Sequence, residues 1–354
     1  MSELRGGFST GACAAAAAKA AALLLHGAVR IGDVEIPFPD GTRETFAVDI
    51  AEPLGGLRAR AAVRKSAGDD PDVTDKALII AEVRGAEGAE VIFRAGEGVG
   101  TVTKPGLSIP PGEPAINPGP RRMITAALRE VSPGGYEVTI SIPGGAELAA
   151  RTFNPRLGIV GGVSILGTTG RVVPFSCPAM REALICALDI AQAAGETAPV
   201  LVPGKIGKRA AERHFALRAE QVVEVSNEWG FMLEKTAGRG FAALLLLGHP
   251  GKLAKLAMGS WDTHSRAAPS AHGYVQQIAF ELVGGAPSAS ETVEGVLAAL
   301  APEGRRAVAD RVAAEVARSA STRLERGLVP AVVLIDMKGD ILGTSGDLTR
   351  WKSA

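Results

Sequence analysis

Near Asn154 the chain changes its rhythm, and that change restricts the folds open to it more than any other feature. Before it, short segments with alternating apolar and polar residues (34–38, 46–50, 78–83 and 136–142) are separated by glycine and proline turns. That pattern predicts antiparallel strands. One strong helix precedes them: residues 14–25 are mostly alanine and leucine, with Ser9 or Thr10 placed to cap the start. A second helix is expected over 121–130, just after Pro120. Beyond Asn154, apolar runs at 157–161, 199–202, 221–225, 241–247 and 331–335 alternate with helix-length segments at 178–194, 206–216, 251–258 and 292–324, the last broken at Pro302. That spacing suits βαβ units around a parallel sheet. The expectation is a two-domain α+β and α/β chain. Residues 1–153 form an α+β domain with helices on a mostly antiparallel sheet, and residues 154–354 a small doubly wound parallel-sheet domain. A length of 354 residues, beyond the size at which one core usually keeps growing, agrees with two domains.

Charge excludes some functions. Lys plus Arg and Asp plus Glu both count 38, so no net field recruits nucleic acid or an anionic membrane. Any anionic ligand has to be met locally. No apolar run approaches the roughly 20 residues that span a bilayer. Lys19 and Glu3 argue against reading the alanine run as a secretion signal. Cys13, Cys177 and Cys186 fit neither a disulfide framework nor a zinc pattern, and the five histidines offer no ligand set. The expected protein is soluble and cytoplasmic and has no metal of its own.

The second half places its glycines and polar residues where a parallel sheet presents its ligand edge. Four proposed strands end in such turns: Gly161-Gly162-Val163-Ser164 with Gly167-Thr168-Thr169-Gly170, Pro203-Gly204-Lys205-Ile206-Gly207, Ser226-Asn227-Glu228-Trp229-Gly230, and Gly248-His249-Pro250-Gly251-Lys252. Ligands bind outside the carboxyl ends of such strands, where backbone amides and helix starts converge. Neither a Walker loop nor G-x-G-x-x-G is present at these turns. In the first half, Gly6-Gly7-Phe8-Ser9-Thr10-Gly11 leads into the alanine helix, whose start is either an anion site or a capped core helix. Asp69, Asp70 and Asp72 gather in a segment that reads as a proton acceptor, a metal site or a solvated turn. A Gly/Pro-rich connection carrying Glu97, Thr103, Lys104 and Asn117 is expected to shape a binding surface. Arg121 and Arg122 open the next helix, where they oppose its dipole, as anchors for ligand carboxylates or as a solvated end. His264, within Trp261-Asp262-Thr263-His264, is a candidate acid–base residue or a structural one.

These stretches resemble a known family. Gly7-Phe8-Ser9-Thr10-Gly11, the segments 67–74 and 96–105, 112–117 with Arg121-Arg122-Met123-Ile124, and Leu157-Gly158-Ile159-Val160-Gly161-Gly162 through Gly170 are similar to the cobalt-precorrin-5B C(1)-methyltransferase family, CbiD. The segment 248–252 and Thr263-His264-Ser265 resemble its later motifs. The likeness is dense over 5–176, patchier to about 265 and weak beyond. Two positions depart: Ala12 precedes Cys13 where the family usually has Gly-Thr-Cys, and Pro250 replaces an expected isoleucine.

The resemblance implies methyl transfer from S-adenosyl-L-methionine to C-1 of cobalt-precorrin-5B, giving cobalt-precorrin-6A on the anaerobic route to cobalamin. Cobalt is carried by the tetrapyrrole substrate only. On this reading Asp69, Asp70 or Asp72 takes a ring proton. Thr10, Gly11, Glu97, Thr103, Lys104, Asn117, Arg121 and Arg122 face the ring. Gly161, Gly162, Gly167, Thr168, Thr169, Gly170 and Ser176, with Gly248, His249, Gly251 and Lys252, hold the donor. The ring is the expected partner, with no nucleic acid and no membrane, and homo-oligomerisation stays open. Two other classes are a small-molecule kinase using the glycine-led helix as a phosphate site, and a non-catalytic tetrapyrrole carrier.

Overall fold

A computed structural model describes residues 4–174, 177–284, 290–324 and 327–352. The chain divides into two units, Met1–Met180 and Arg181–Ala354.

The first unit opens with a short strand, β1 (Gly7–Phe8), and the alanine helix α1 (Thr10–Leu25), which Ser9 caps by accepting the Ala12 N–H. Alanine combines the best helix propensity with a minimal side chain, and α1 is built into the centre of its unit. Every residue from Thr10 to Ala22 except Lys19 is buried. There follow β2 (Asp33–Pro37), β3 (Arg43–Ala47), β4 (Ile50–Gly55), β5 (Arg58–Arg64), β6 (Leu78–Ala86), β7 (Val91–Ala95), β8 (Thr101–Val102), α2 (Pro118–Arg129), β9 (Gly135–Ser141), α3 (Gly145–Ala149), β10 (Ile159–Val160) and β11 (Arg171–Val172). The main sheet runs β4-β5-β6-β9-β7 and is antiparallel except for the parallel pair β7–β9. Period-two alternation assigns its faces. Ala59, Ala61, Val63, Ile79, Ala81 and Val83 belong to the core that contains α1, while Arg58–Glu82 and Arg84–Glu137 ion pairs lie on alternate positions.

Two expectations are corrected here. Residues 157–161 do not start a parallel sheet, because β10 pairs antiparallel with β8, Ile159 opposite Val102. The division falls after Met180, so residues 154–180 belong to the first unit. Close backbone approach is the physical reason: a β-carbon on Gly162 would lie 2.1 Å from the carbonyl oxygen of Gly98, so only glycine fits there.

The second unit carries α4 (Cys177–Ala193) from Arg181 onward, then β12 (Val200–Val202), α5 (Lys205–His214), β13 (Val222–Glu224), α6 (Trp229–Thr236), β14 (Leu245–Gly248), α7 (Pro250–Ala257), α8 (His272–Val283), α9 (Val293–Ala298), α10 (Pro302–Ser321), β15 (Ala331–Ile335) and β16 (Ile341–Ser345). Its sheet runs β13-β12-β14-β15-β16, parallel but for β16. The central strands are continuously apolar because both faces are covered. Val202, Leu247 and Val333 pack with Ala211 of α5, whereas Leu201, Leu246 and Leu334 pack with Leu253 of α7 and Val312 of α10. Among the described residues no helix is long and apolar enough to cross a membrane.

Candidate functional site

In the second unit β12 has β13 on one side and β14 on the other, so the chain order reverses between β12 and β14. Loops leaving two such strands diverge and open a crevice outside their carboxyl ends. The two turns, 203–204 and 249, lead into α5 and α7, and a β-carbon on Gly248 would lie 3.1 Å from Cδ of Pro203. His249 caps α7: its Nδ1 accepts the Gly251 N–H at 3.0 Å. The proton of the neutral ring therefore sits on Nε2, which is buried, has no hydrogen-bond partner among the described residues and lies 3.9 Å from Oε2 of Glu294. Burial holds the His249 pKa below its ordinary value, against the opposite pull of Glu294 and Asp336. An imidazolium there would lose the cap bond and oppose the helix dipole.

The same edge is tied together from other loops. Lys252 donates to Oδ1 of Asn227 at 2.9 Å, and the Thr263 hydroxyl donates to that oxygen at 3.2 Å. Burial and the charge of Lys255 push the Lys252 pKa down. His264 is exposed, and its Nδ1 accepts the Arg266 N–H at 3.1 Å, which makes it a turn residue. Pro203, Gly204, Asn227 and Thr263 join this edge although only their turns, and not their roles, were apparent in the sequence. Strand order was the missing information.

The segment 161–170 lies in the first unit and caps its helices. Leu166 O accepts the Gly11 N–H at 3.0 Å, the Thr10 hydroxyl accepts the Leu166 N–H at 2.9 Å, and Ile165 O accepts the Asn117 N–H at 2.9 Å. Thr10 and Gly11 are buried and satisfied, so the start of α1 is capped within the fold. Much of the expected donor loop is packed into the scaffold in the same way. Gly162, Gly167 and Gly170 are packed against Gly98, Ser9 and Phe38. Gly161 takes φ +87° with open space around it, and the Thr169 hydroxyl accepts the Arg171 N–H at 3.2 Å. Thr168 lines a cavity. Ser176 lies outside the described residues.

The charged candidates separate into spent and unspent groups. Arg121 is held by Glu113 at 2.7 Å and Ile116 O at 2.8 Å, and lies over the Phe93 ring, so its fork is used within the fold. Among the described residues Arg122 has no hydrogen bond or ion pair, and it is exposed. Asn117 is the N-cap residue of α2 without a side-chain cap bond. The Thr103 hydroxyl donates to Gly158 O at 2.6 Å, the Lys104 stem crosses Gly158, and Glu97 is exposed.

The three aspartates also differ. Asp69 accepts the Arg5 N–H at 2.7 Å, and that bond, with the Arg5 guanidinium, holds its pKa low. Asp72 accepts Nζ of Lys65 at 2.7 Å, and Lys65 is only 1% exposed. Burial raises the Asp72 pKa, but Lys65 and Thr74 outweigh it and leave the group below the usual carboxylate value. A carboxylate stabilised in this way is a poor proton acceptor. Asp70 is half-buried, with its N–H to Ala67 O. Among the described residues no group of three or more His, Cys, Asp or Glu is placed to hold a metal ion.

Comparison with known proteins decides the family. Residues 1–174 match the family model CbiD, and residues 262–346 match that of the CbiD C-terminal domain. The cobalt-precorrin-5B C(1)-methyltransferase of Syntrophotalea carbinolica is 54% identical over 352 residues, covering 99% of this chain and 100% of that protein. The chain belongs to the CbiD family. Similarly named CbiD relatives from Moorella thermoacetica (42% identical; 97% of this chain, 95% of that protein) and Methanocaldococcus jannaschii (40%; 96% and 95%) match over nearly their full lengths. A crystal structure titled cobalamin biosynthesis protein (cbiD) from Archaeoglobus fulgidus is 29% identical, covers 73% of this chain and 82% of its own, and gives a TM-score of 0.40.

Proposed function

We propose that this CbiD chain methylates C-1 of cobalt-precorrin-5B, giving cobalt-precorrin-6A, with S-adenosylmethionine as the donor. The observation that carries this is the 54% identity, over the full length of both chains, to a protein bearing that name. S-adenosylmethionine supplies a methyl group on a sulfonium, an electrophilic carbon that needs no activation by the protein.

The chain's own residues then have three tasks. The carboxyl edge of the second unit suits an adenosyl ligand, because it lies where the strand order reverses, His249 presents a buried Nε2 with no hydrogen-bond partner among the described residues, and Lys252 lies alongside. Lys104, Asn117 and Arg122 serve the ring side. Asp70, half-buried in the segment 67–74, is the proposed acceptor of the proton released when the ring conjugation readjusts. Holding reactants in a near-attack geometry is worth roughly 7–11 kcal/mol.

The kinase and carrier readings are set aside. The relatives compared are named methyltransferases, and the start of α1 is filled by the Leu166 carbonyl, where a kinase of this kind would bind phosphate. The deciding experiment incubates the purified chain with cobalt-precorrin-5B and donor labelled in its methyl group, then weighs the ring product. Gain of one labelled methyl at C-1 is expected. A ring recovered unlabelled, with both ligands shown to bind, would end the proposal.

A further inference from the structure

We propose that the cavity beside Arg122 in the first unit is a subsite for one carboxylate-bearing arm of the ring, with the Arg122 guanidinium as its charge partner. The inference rests on the proposed ring substrate and adds a named contact to it.

The nearby arginines are neutralised, Arg121 by Glu113 at 2.7 Å and Arg171 by Glu44 at 2.7 Å. Arg122, in the second turn of α2, has no such partner among the described residues. A ligand anion would supply one.

The walls specify what kind of anion. Phe38, Pro37, Pro39 and Met123 make the cavity mostly apolar, and Thr168 adds a hydroxyl with no hydrogen bond among the described residues. Methylenes suit the apolar wall, and a carboxylate at their end suits a guanidinium and a hydroxyl together. A volume of about 230 Å³ is below the usual size of a small-molecule pocket, so an acetate or propionate arm fits and the macrocycle does not.

The fold fixes these walls. Gly170, at φ +82°, lies where a β-carbon would fall 2.5 Å from Cε1 of Phe38, and the Arg171 guanidinium covers that ring at 4.9 Å. Gly119 has room for no more than a tight β-carbon, 3.3 Å from Gly167 O. Thr168 and Arg122 are thus brought to one cavity by the same segment that caps the two helices.

The test is equilibrium dialysis with three probes: dicyanocobyrinic acid, whose arms are carboxylates; the same macrocycle with its arms converted to primary amides; and S-adenosylhomocysteine. Arg122→Gln should weaken the carboxylate ring by about tenfold, the worth of a charge-assisted hydrogen bond, and leave the amide ring unchanged. Thr168→Val should weaken the same probe by a smaller factor. Arg94→Gln removes an exposed arginine already paired with Glu137 and should change nothing. Equal affinity of Arg122→Gln and wild type for the carboxylate ring would overturn the subsite. So would a loss confined to S-adenosylhomocysteine, which would give the carboxylate to the donor. Loss of labelled product with ring binding and its Arg122 dependence intact would refute methyl transfer and not this contact.

Discussion

Gly167 lies against Ser9 so closely that a β-carbon at 167 would fall 2.2 Å from the Ser9 hydroxyl oxygen, the atom that caps α1. The two positions are far apart in sequence, and their contact makes the glycine-rich segment 161–170 part of the scaffold.

Gly167→Ala therefore acts on stability. At φ +122° the alanine is strained, and the Ser9 cap has to move, so a loss of about 2 kcal/mol or more is expected in urea unfolding. Affinity of the folded fraction for S-adenosylhomocysteine should stay at the wild-type value. A variant with an unchanged unfolding midpoint and no affinity would restore this segment to the donor site.

Asp72→Asn leaves the ammonium of a nearly fully buried Lys65 without its carboxylate. Removing one partner of a buried pair costs about 3–5 kcal/mol, and the partial exposure of Asp72 puts the expected loss at the low end. Because the folded pKa of Asp72 is lowered, its contribution is present above the unfolded value of about 3.9 and is lost as pH falls through the lower folded value. A denaturation series from pH 6 to pH 2 measures it, and a midpoint equal in wild type and variant at pH 6 would contradict the assignment.

Asp70→Asn tests the proton acceptor. Turnover should fall by about a hundredfold or more, the lower range for a positioned general base, while ring affinity stays near wild type. Undiminished turnover removes Asp70 from the mechanism.

His249→Asn tests the donor edge, since asparagine keeps an N-cap acceptor and loses the imidazole Nε2–H. Stability should hold while S-adenosylhomocysteine affinity drops several-fold. His249→Ala should lose the cap as well, about 1 kcal/mol. In the wild type the lowered pKa means that the cap's contribution is complete above the unfolded value of about 6.5 and disappears as pH falls through the folded one. An Asn variant whose stability keeps the same dependence between pH 7.5 and 5 would show that another group is responsible.

Local physics accounts for what was legible in the sequence. Residues 331–335, five apolar positions ending at Asp336, are β15 as expected, and Pro302 does separate α9 from α10. The helix α8 was not expected, because Gly273, Tyr274 and Val275 give its first turns poor helix propensity, and burial of Val275, Ile278 and Ala279 supplies the stabilisation instead. The edge strand β16 contains Gly343 and polar residues, so nothing in its own pattern marks it; its pairing with β15 does. Segment 161–170 carries glycines of the kind a ligand loop has, and only its distant neighbours Ser9, Gly98 and Phe38 distinguish a scaffold from a site. The Arg122 cavity was half visible: the arginine stood out at a helix start, but its neighbour Thr168 comes from a segment whose path no local rule supplies.

The alanine core of α1 leaves its unit almost no downward freedom in size. Substitution from 14 to 18 can only add volume, apart from the change to glycine, and any added methyl meets α2 on one side or β5 and β6 on the other. The spacing of these layers is set by the alanine methyls of α1 against larger side chains of the sheet, such as Val63 and Ile79, and of α2, such as Ile124 and Leu128. A mutational library over this stretch would act as a one-sided gauge, reading how far the sheet and its second helix can be wedged apart before folding fails.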